Sequence, residues 1–187
     1  MADDKVKRKS DAITVSMQRA GIGLAFHARK LSEFGDAGNA ILRDMEDSDY
    51  AARVMTGKGY SLECKTHQTF DCAYVLAKAM RLSKIDVRVA GLLDLNKYLQ
   101  ASRDTDWQYT RFDNFDEAEA LVIPRFYEAT FQPLTPREAQ TIEYYLTQRM
   151  QDGFSVSVQY QGDLRQQQIW TPYFVQALEA KNERVML

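Results

Sequence analysis

The sequence predicts an α/β fold in which a five-stranded parallel sheet carries helices on both faces. Two observations lead there. Short apolar or alternating stretches suited to strands recur along the chain, and stretches with apolar residues at helical spacing stand between them. Strict alternation of this kind implies parallel neighbours, because parallel strands need a helical crossover and antiparallel ones do not.

The elements follow in order from Gly59. Tyr60-Ser61-Leu62-Glu63 reads as a short strand. The spacing of Phe70, Ala73, Tyr74, Ala77 and Met80 predicts a helix over 69–81. Asp86 to Ala90 is a strand, and Leu95, Tyr98 and Leu99 give one face of a helix over 94–102. Glu119 to Ile123 is the third strand. Thr135-Pro136-Arg137-Glu138 is a capping box with proline at the first helical position, so a helix starts there; it runs to about Gln151 and stops at Gly153. Phe154 to Tyr160 alternates as a half-buried strand does. Thr171-Pro172 opens a helix to about Lys181, and Arg184 to Leu187 is a last strand. Before Gly59 the pattern is looser. Asp36 to Arg53 reads as one helix, and 13–31 reads as a short helix or extended arm broken at Gly21 and Gly23.

At 187 residues one domain is the default, and the chain is long enough to bury a sizeable core. The division expected is a flexible, basic N-terminal tail over 1–18, polar and disordered to about residue 12, and a core domain over 19–187. A net charge of −2 argues against a strongly basic nucleic-acid binder, although Lys5, Lys7, Arg8 and Lys9 could add non-specific DNA affinity. No apolar run reaches the roughly 18 residues that span a bilayer, so no membrane role is expected. The first ten residues lack the apolar core of a secretory signal, and Cys64 and Cys72 suit a reducing cytosol rather than a disulfide framework; a cytoplasmic location is the expectation.

Ligands of such sheets sit at the carboxyl ends of the strands. That edge should bring together Cys64-Lys65-Thr66-His67-Gln68-Thr69-Phe70-Asp71, between the first strand and its helix, and Pro124-Arg125, after the third strand. With Gln18 to Ile22, Leu31 to Phe34, Asp94-Leu95, Leu121 to Ile123 and Gln148-Arg149, these segments stand in an ordered series. In that series the chain resembles the P-loop AAA+ core of bacterial replicative helicase loaders of the DnaC type and of insertion-sequence transposition helper ATPases of the IstB type, from about Ala20 to Leu187. Those families lack a long helical lid, and none is expected here. Their N-terminal helicase-binding domain has no counterpart in the roughly 20 residues before the core.

The resemblance implies a phosphate loop G-x-x-x-x-G-K-[ST] and a strand ending in carboxylates. Aligned without gaps, Cys64 takes the place of the first glycine, Thr69 the second, Phe70 the lysine and Asp71 the Ser/Thr, while Pro124 and Arg125 stand where the metal-orienting and water-activating carboxylates belong. Glycines there let backbone N–H groups wrap a phosphate, and the lysine neutralises it. Gln159-Tyr160 falls at a sensor position and Gln176 near the arginine finger. The implied protein is a pseudo-ATPase with no catalytic residues, no cofactor and no metal. It would act by binding in DNA replication or transposition, as a helicase-loader-like adaptor or inhibitor. Its partner would be an AAA+ protein, a replicative helicase or a transposition protein, with DNA and self-association also open. Small degenerate copies of host machinery suit a phage or other mobile element.

Alternatives remain open. A shifted register, Gly59 to Thr66, recovers a Lys65-Thr66 pair for a residual Mg²⁺-dependent ATPase, with Asp71 or Glu128 as carboxylate, although it puts the phosphate loop inside the first strand. A structural interaction protein unrelated to DNA is the other. Cys64, His67 and Cys72 are zinc-ligand types without a visible fourth partner. Lys97, Arg103 and Arg111 with Trp107 and Tyr109 are candidate contacts to DNA or a protein, by phosphate pairing and base stacking, yet Asp104, Asp106 and Asp113 oppose a polyanion. Glu138 and Glu143 are not a catalytic pair, since the cap uses Glu138. Arg137 and Arg149 read as surface charges, or as arginines offered to a neighbouring subunit.

Overall fold

The computed structural model describes residues 2–64, 71–101, 115–127, 134–166 and 168–187, with side chains from Ser10 onward. The elements are α1 (Ala2–Arg19), α2 (Gly35–Met45), α3 (Tyr50–Val54), β1 (Gly59–Cys64), α4 (Asp71–Leu82), β2 (Val87–Val89), α5 (Leu92–Ala101), β3 (Ala120–Tyr127), α6 (Pro136–Gln151), β4 (Ser155–Gln161), α7 (Pro172–Lys181) and β5 (Asn182–Met186). The strands form one five-stranded sheet in the order β2-β3-β4-β1-β5, and every pairing is parallel. The expected alternation of strand and helix from β1 to β5 is therefore present, and no helical lid interrupts it among the described residues.

Strand alternation sorts the core into two layers. Ala120 and Val122 of β3 face one side with Tyr60 and Leu62 of β1, beneath α4 and the N-terminal elements. Leu121 and Ile123 face the other side with Val156 and Val158 of β4, beneath α5, α6 and α7. Gly59 permits the close approach of β1 and β4, since a Cβ there would lie 2.4 Å from the Val156 carbonyl oxygen.

Three elements differ from the pattern expected. First, the N-terminal stretch has a helical backbone from Ala2 to Arg19, and Met17, Ala20 and Ile22 are buried in the α4 layer. No Gly or Pro occurs before Gly21, so no residue in this stretch breaks the helix. The Ala20 carbonyl then accepts from Val89 N–H at 2.8 Å, which covers the free side of edge strand β2. Second, the helix read over 36–53 is two helices. Asp47 breaks it by accepting the Asp49 N–H at 3.2 Å, a turn that competes with the helical ladder.

Third, β3 does not stop at Ile123. It continues through Pro124 and Arg125 to Tyr127. Pro124 has no N–H to give, and the ladder answers with a bulge: Ile123 pairs with Val158 and Tyr127 with Tyr160, so four steps on β3 oppose two on β4. The acidic-aromatic segment 104–113 lies outside the described residues, as do Arg103, Trp107, Tyr109 and Arg111; Lys97 is exposed on α5.

Candidate functional site

The carboxyl edge of the sheet is built around the first turn of α4. Lys65, Thr66, Thr69 and Phe70 lie outside the described residues, as do His67 and Glu128, so the expected phosphate loop is seen only at its two ends, Cys64 and Asp71. Gly59 to Cys64 are strand throughout, paired to β4 on one side and β5 on the other. The shifted register would therefore need its first six positions to leave a central strand.

A helix leaves its first four N–H groups without intrahelical acceptors. In α4, Ala73 is the third residue, and its N–H donates to Gln159 Oε1 of β4 at 2.7 Å. The same amide donates through Nε2 to Cys64 Sγ at 3.0 Å. Gln159 is 0% exposed, so one side chain ties the end of β1 and the start of α4 to β4 with no water in competition. Asp71 places a carboxylate at the positive end of the helix dipole, and Arg29 donates to it through Nη1 at 3.1 Å. The anion favoured at this position is thus supplied by the chain itself.

Arg29 belongs to a segment that lies over α4. Phe26 stacks on Tyr74 with ring centroids 4.4 Å apart and planes 3° from parallel. Lys78, nearly buried, donates to the carbonyls of His27, at 3.2 Å, and Arg29. Burial pulls the Lys78 ammonium below its usual range, with Glu33 opposing that shift. Burial raises the Tyr74 phenol, while the nearby Arg125 charge lowers it and Asp94 and Asp71 add to the rise. Tyr74, Arg125, Asp94 and Asp71 therefore share this corner. Pro124 is buried in the bulge and Arg125 is exposed.

The two cysteines are free and buried. Burial pushes the Cys72 thiol up to about 12, and burial also raises Cys64 while the Gln159 amide lowers it. Among the described residues no group of three His, Cys, Asp or Glu side chains is placed to hold a metal ion.

Three residues take roles that sequence spacing does not convey. Gln159 was legible only as a sensor position. Arg149, expected at the surface, is 4% exposed and inside the fold. It donates to the carbonyls of Phe115 and Ala118, each at 2.6 Å, and lies 5.0 Å over the Phe154 ring. Glu143, on α6, accepts from Thr171 N–H at 3.1 Å and from the Thr171 hydroxyl, anchoring the start of α7. Glu138 does close the capping box, accepting Thr135 N–H at 2.8 Å, while Thr135 Oγ1 accepts Glu138 N–H at 3.4 Å.

No family model matches the sequence, and no curated protein matches it. The fold does match solved structures. The DnaC helicase loader superposes with a TM-score of 0.64 at 13% identity, over 88% of this chain and 99% of that one. DnaI gives 0.59 at 13% identity, over 88% and 93%. AMPPCP-bound DnaA from Aquifex aeolicus gives 0.61 at 8% identity, over 88% of this chain but 51% of that one. Identities this low speak for shape alone: the chain shares the fold of the DnaC helicase loader and of DnaI.

Proposed function

We propose that this protein is a non-catalytic AAA+ paralogue that works in DNA replication or transposition by binding a partner, as a helicase-loader-like adaptor or inhibitor. The observation that carries the reading is the first turn of α4, where protein side chains take one backbone donor and the anion position. Gln159 accepts the Ala73 N–H, and Asp71, paired with Arg29, occupies the anion position. A nucleotide phosphate brought there meets a carboxylate, and Arg125 stands where Mg²⁺ chemistry calls for an acid. The described residues do not fit a magnesium–nucleotide.

The likeness to DnaC and DnaI supports a replicative helicase or another AAA+ protein as partner. DNA is a further candidate on the same ground, since a DnaA bound to AMPPCP and single-stranded DNA also superposes, with a TM-score of 0.58 at 7% identity. A subunit that cannot answer nucleotide has two uses. Placed in an active ring it interrupts cooperative hydrolysis, and placed between an enzyme and DNA it acts as a fixed adaptor. A phage or mobile-element origin suits either use.

Calorimetric titration with ATP and ADP, with and without Mg²⁺, is the test. We expect no heat of binding at nucleotide concentrations of about 1 mM, a threshold corresponding to about −4 kcal/mol. Micromolar binding that needs Mg²⁺ and is abolished by Lys65→Ala would return the protein to the ATPases and sink this reading.

A further inference from the structure

The two edges of the sheet are finished differently. Edge strand β2 is covered where the Ala20 carbonyl accepts the Val89 N–H. Edge strand β5 is paired to β1 alone. The direction of its free groups follows from one bond: the Leu187 N–H donates to the Glu63 carbonyl of β1 at 2.8 Å. Along a parallel strand both backbone groups of a residue point to the same side, and the side alternates from residue to residue. Val185 and Glu183 therefore bond β1 as Leu187 does, and Arg184 and Met186 direct their N–H and C=O groups away from the sheet. Among the described residues nothing bonds these outward groups.

An open edge is a template for another strand, and proteins guard it with proline, lysine, a bulge or a covering segment. β5 holds no Pro or Lys, and its register with β1 is unbroken from Asn182 to Met186. Arg184 does not obstruct the edge either. Its Nε donates to Glu63 Oε2 at 2.8 Å, which draws the side chain back toward β1. Met186 is 42% exposed.

The residues along this edge decide which strand fits it. A second copy can pair antiparallel about a two-fold axis perpendicular to the sheet, and such an axis sets residues of the same face opposite each other. Centred on Glu183 or on Arg184, that pairing opposes two like charges, which destabilises it. Centred on Val185, Arg184 lies opposite the partner's Met186 and Glu183 opposite the partner's Leu187, with no like charges apposed. Arg184 and the partner's Met186 then exchange both hydrogen bonds, and so do Met186 and the partner's Arg184. Every outward group of these residues is used.

We propose that β5 is a self-association edge: two copies of this chain pair their β5 strands antiparallel about Val185 and join their sheets into one. The two-fold axis closes the pair, so no filament follows. Two short strands and the cover over Met186 make a small interface, at the weak end of specific contacts. The pairing rests on no group of the α4 corner, so it stands whether or not that corner binds nucleotide.

The test is sedimentation equilibrium of the whole chain and two variants. The wild type should be mostly dimer at about 200 µM and mostly monomer at about 2 µM. Met186→Pro removes the outward N–H and no bond to β1, a change an edge strand tolerates on its open side. It deletes a hydrogen bond at each end of the pairing and should weaken dimerisation at least about tenfold. Met186→Leu keeps the N–H and an apolar side chain and should change it less than about threefold. On dilution of the wild type, the amide resonances of Arg184 and Met186 should shift, while that of Tyr60, whose N–H donates to Ser157 Oγ of β4 at 3.0 Å, should hold still. If Met186→Pro fails to fold, these wild-type shifts decide. A monomer throughout, a dimer that a folded Met186→Pro leaves intact, or dilution shifts absent from Arg184 and Met186 overturns the proposal.

Discussion

The starts of α4 and α6 are satisfied in opposite ways. At α6 the cap is local: Thr135 and Glu138, three residues apart, exchange hydrogen bonds with each other's backbone. At α4 the partners come from far along the chain, Gln159 at 86 residues from Ala73 and Arg29 at 42 from Asp71. A local cap forms with the helix and serves only the helix. A remote cap also determines where the helix start sits in the fold, tying α4 to β4 and to the segment before α2. In a nucleotide-switched protein the phosphate is what makes that connection. Here Gln159 and Arg29 make it, the arrangement that the proposed non-catalytic reading rests on.

The sharpest way to break this difference is Gln159→Ala. It leaves the buried Ala73 N–H without its acceptor, removes the partner of Cys64 Sγ, and opens a cavity beneath α4. Together these should cost about 3 kcal/mol in urea unfolding, the sum of an unsatisfied buried donor and a truncation cavity. A loss under about 1 kcal/mol would mean the first turn of α4 is held by something else. Thr135→Ala is the local counterpart and should cost about 1 kcal/mol, the ordinary worth of an N-cap. If the two variants cost the same, the distinction between remote and local caps has no energetic content.

The same division explains what could be read from the chain. The capping box, the stop at Gly153 and the alternation over 154–160 are local signals, and α6 and β4 lie where those signals put them. Arg149 carried the ordinary signal of a cation in the last turn of a helix, yet it is buried because the Phe115 and Ala118 carbonyls, more than thirty residues earlier, need a donor. Pro124 looked like the end of β3 because proline cannot continue a ladder, but a bulge against β4 absorbs the missing donor. Gln159 belonged to a legible strand, while the group it serves was fixed only by the order in which the strands lie side by side. Site residues depend on such non-local meetings, so the fold was legible from spacing and the contacts of Gln159 and Arg29 at the α4 corner were not.

The smallest expected effect is Arg29→Ala. Arg29 is 36% exposed on its side chain, and its ion pairs with Glu33 and Asp71 are open to solvent, so the variant should lower Tm by no more than about 2 °C at neutral pH. Its value lies in its pH dependence. The Arg29 guanidinium, then the Lys30 N–H, hold the Glu33 carboxyl below its ordinary value of 4.5. A carboxyl lowered in the native state adds stability above that ordinary value and loses it as pH falls through the lowered one, because the unfolded chain takes up the proton first. The Tm difference between wild type and Arg29→Ala should therefore be constant from neutral pH to about 5, shrink below 4.5 and vanish when Glu33 is protonated in both states. Added salt should shrink it at neutral pH as well. A difference that persists in acid would place the role of Arg29 in its packing over the Phe34 ring, 5.5 Å away, and not in its charge.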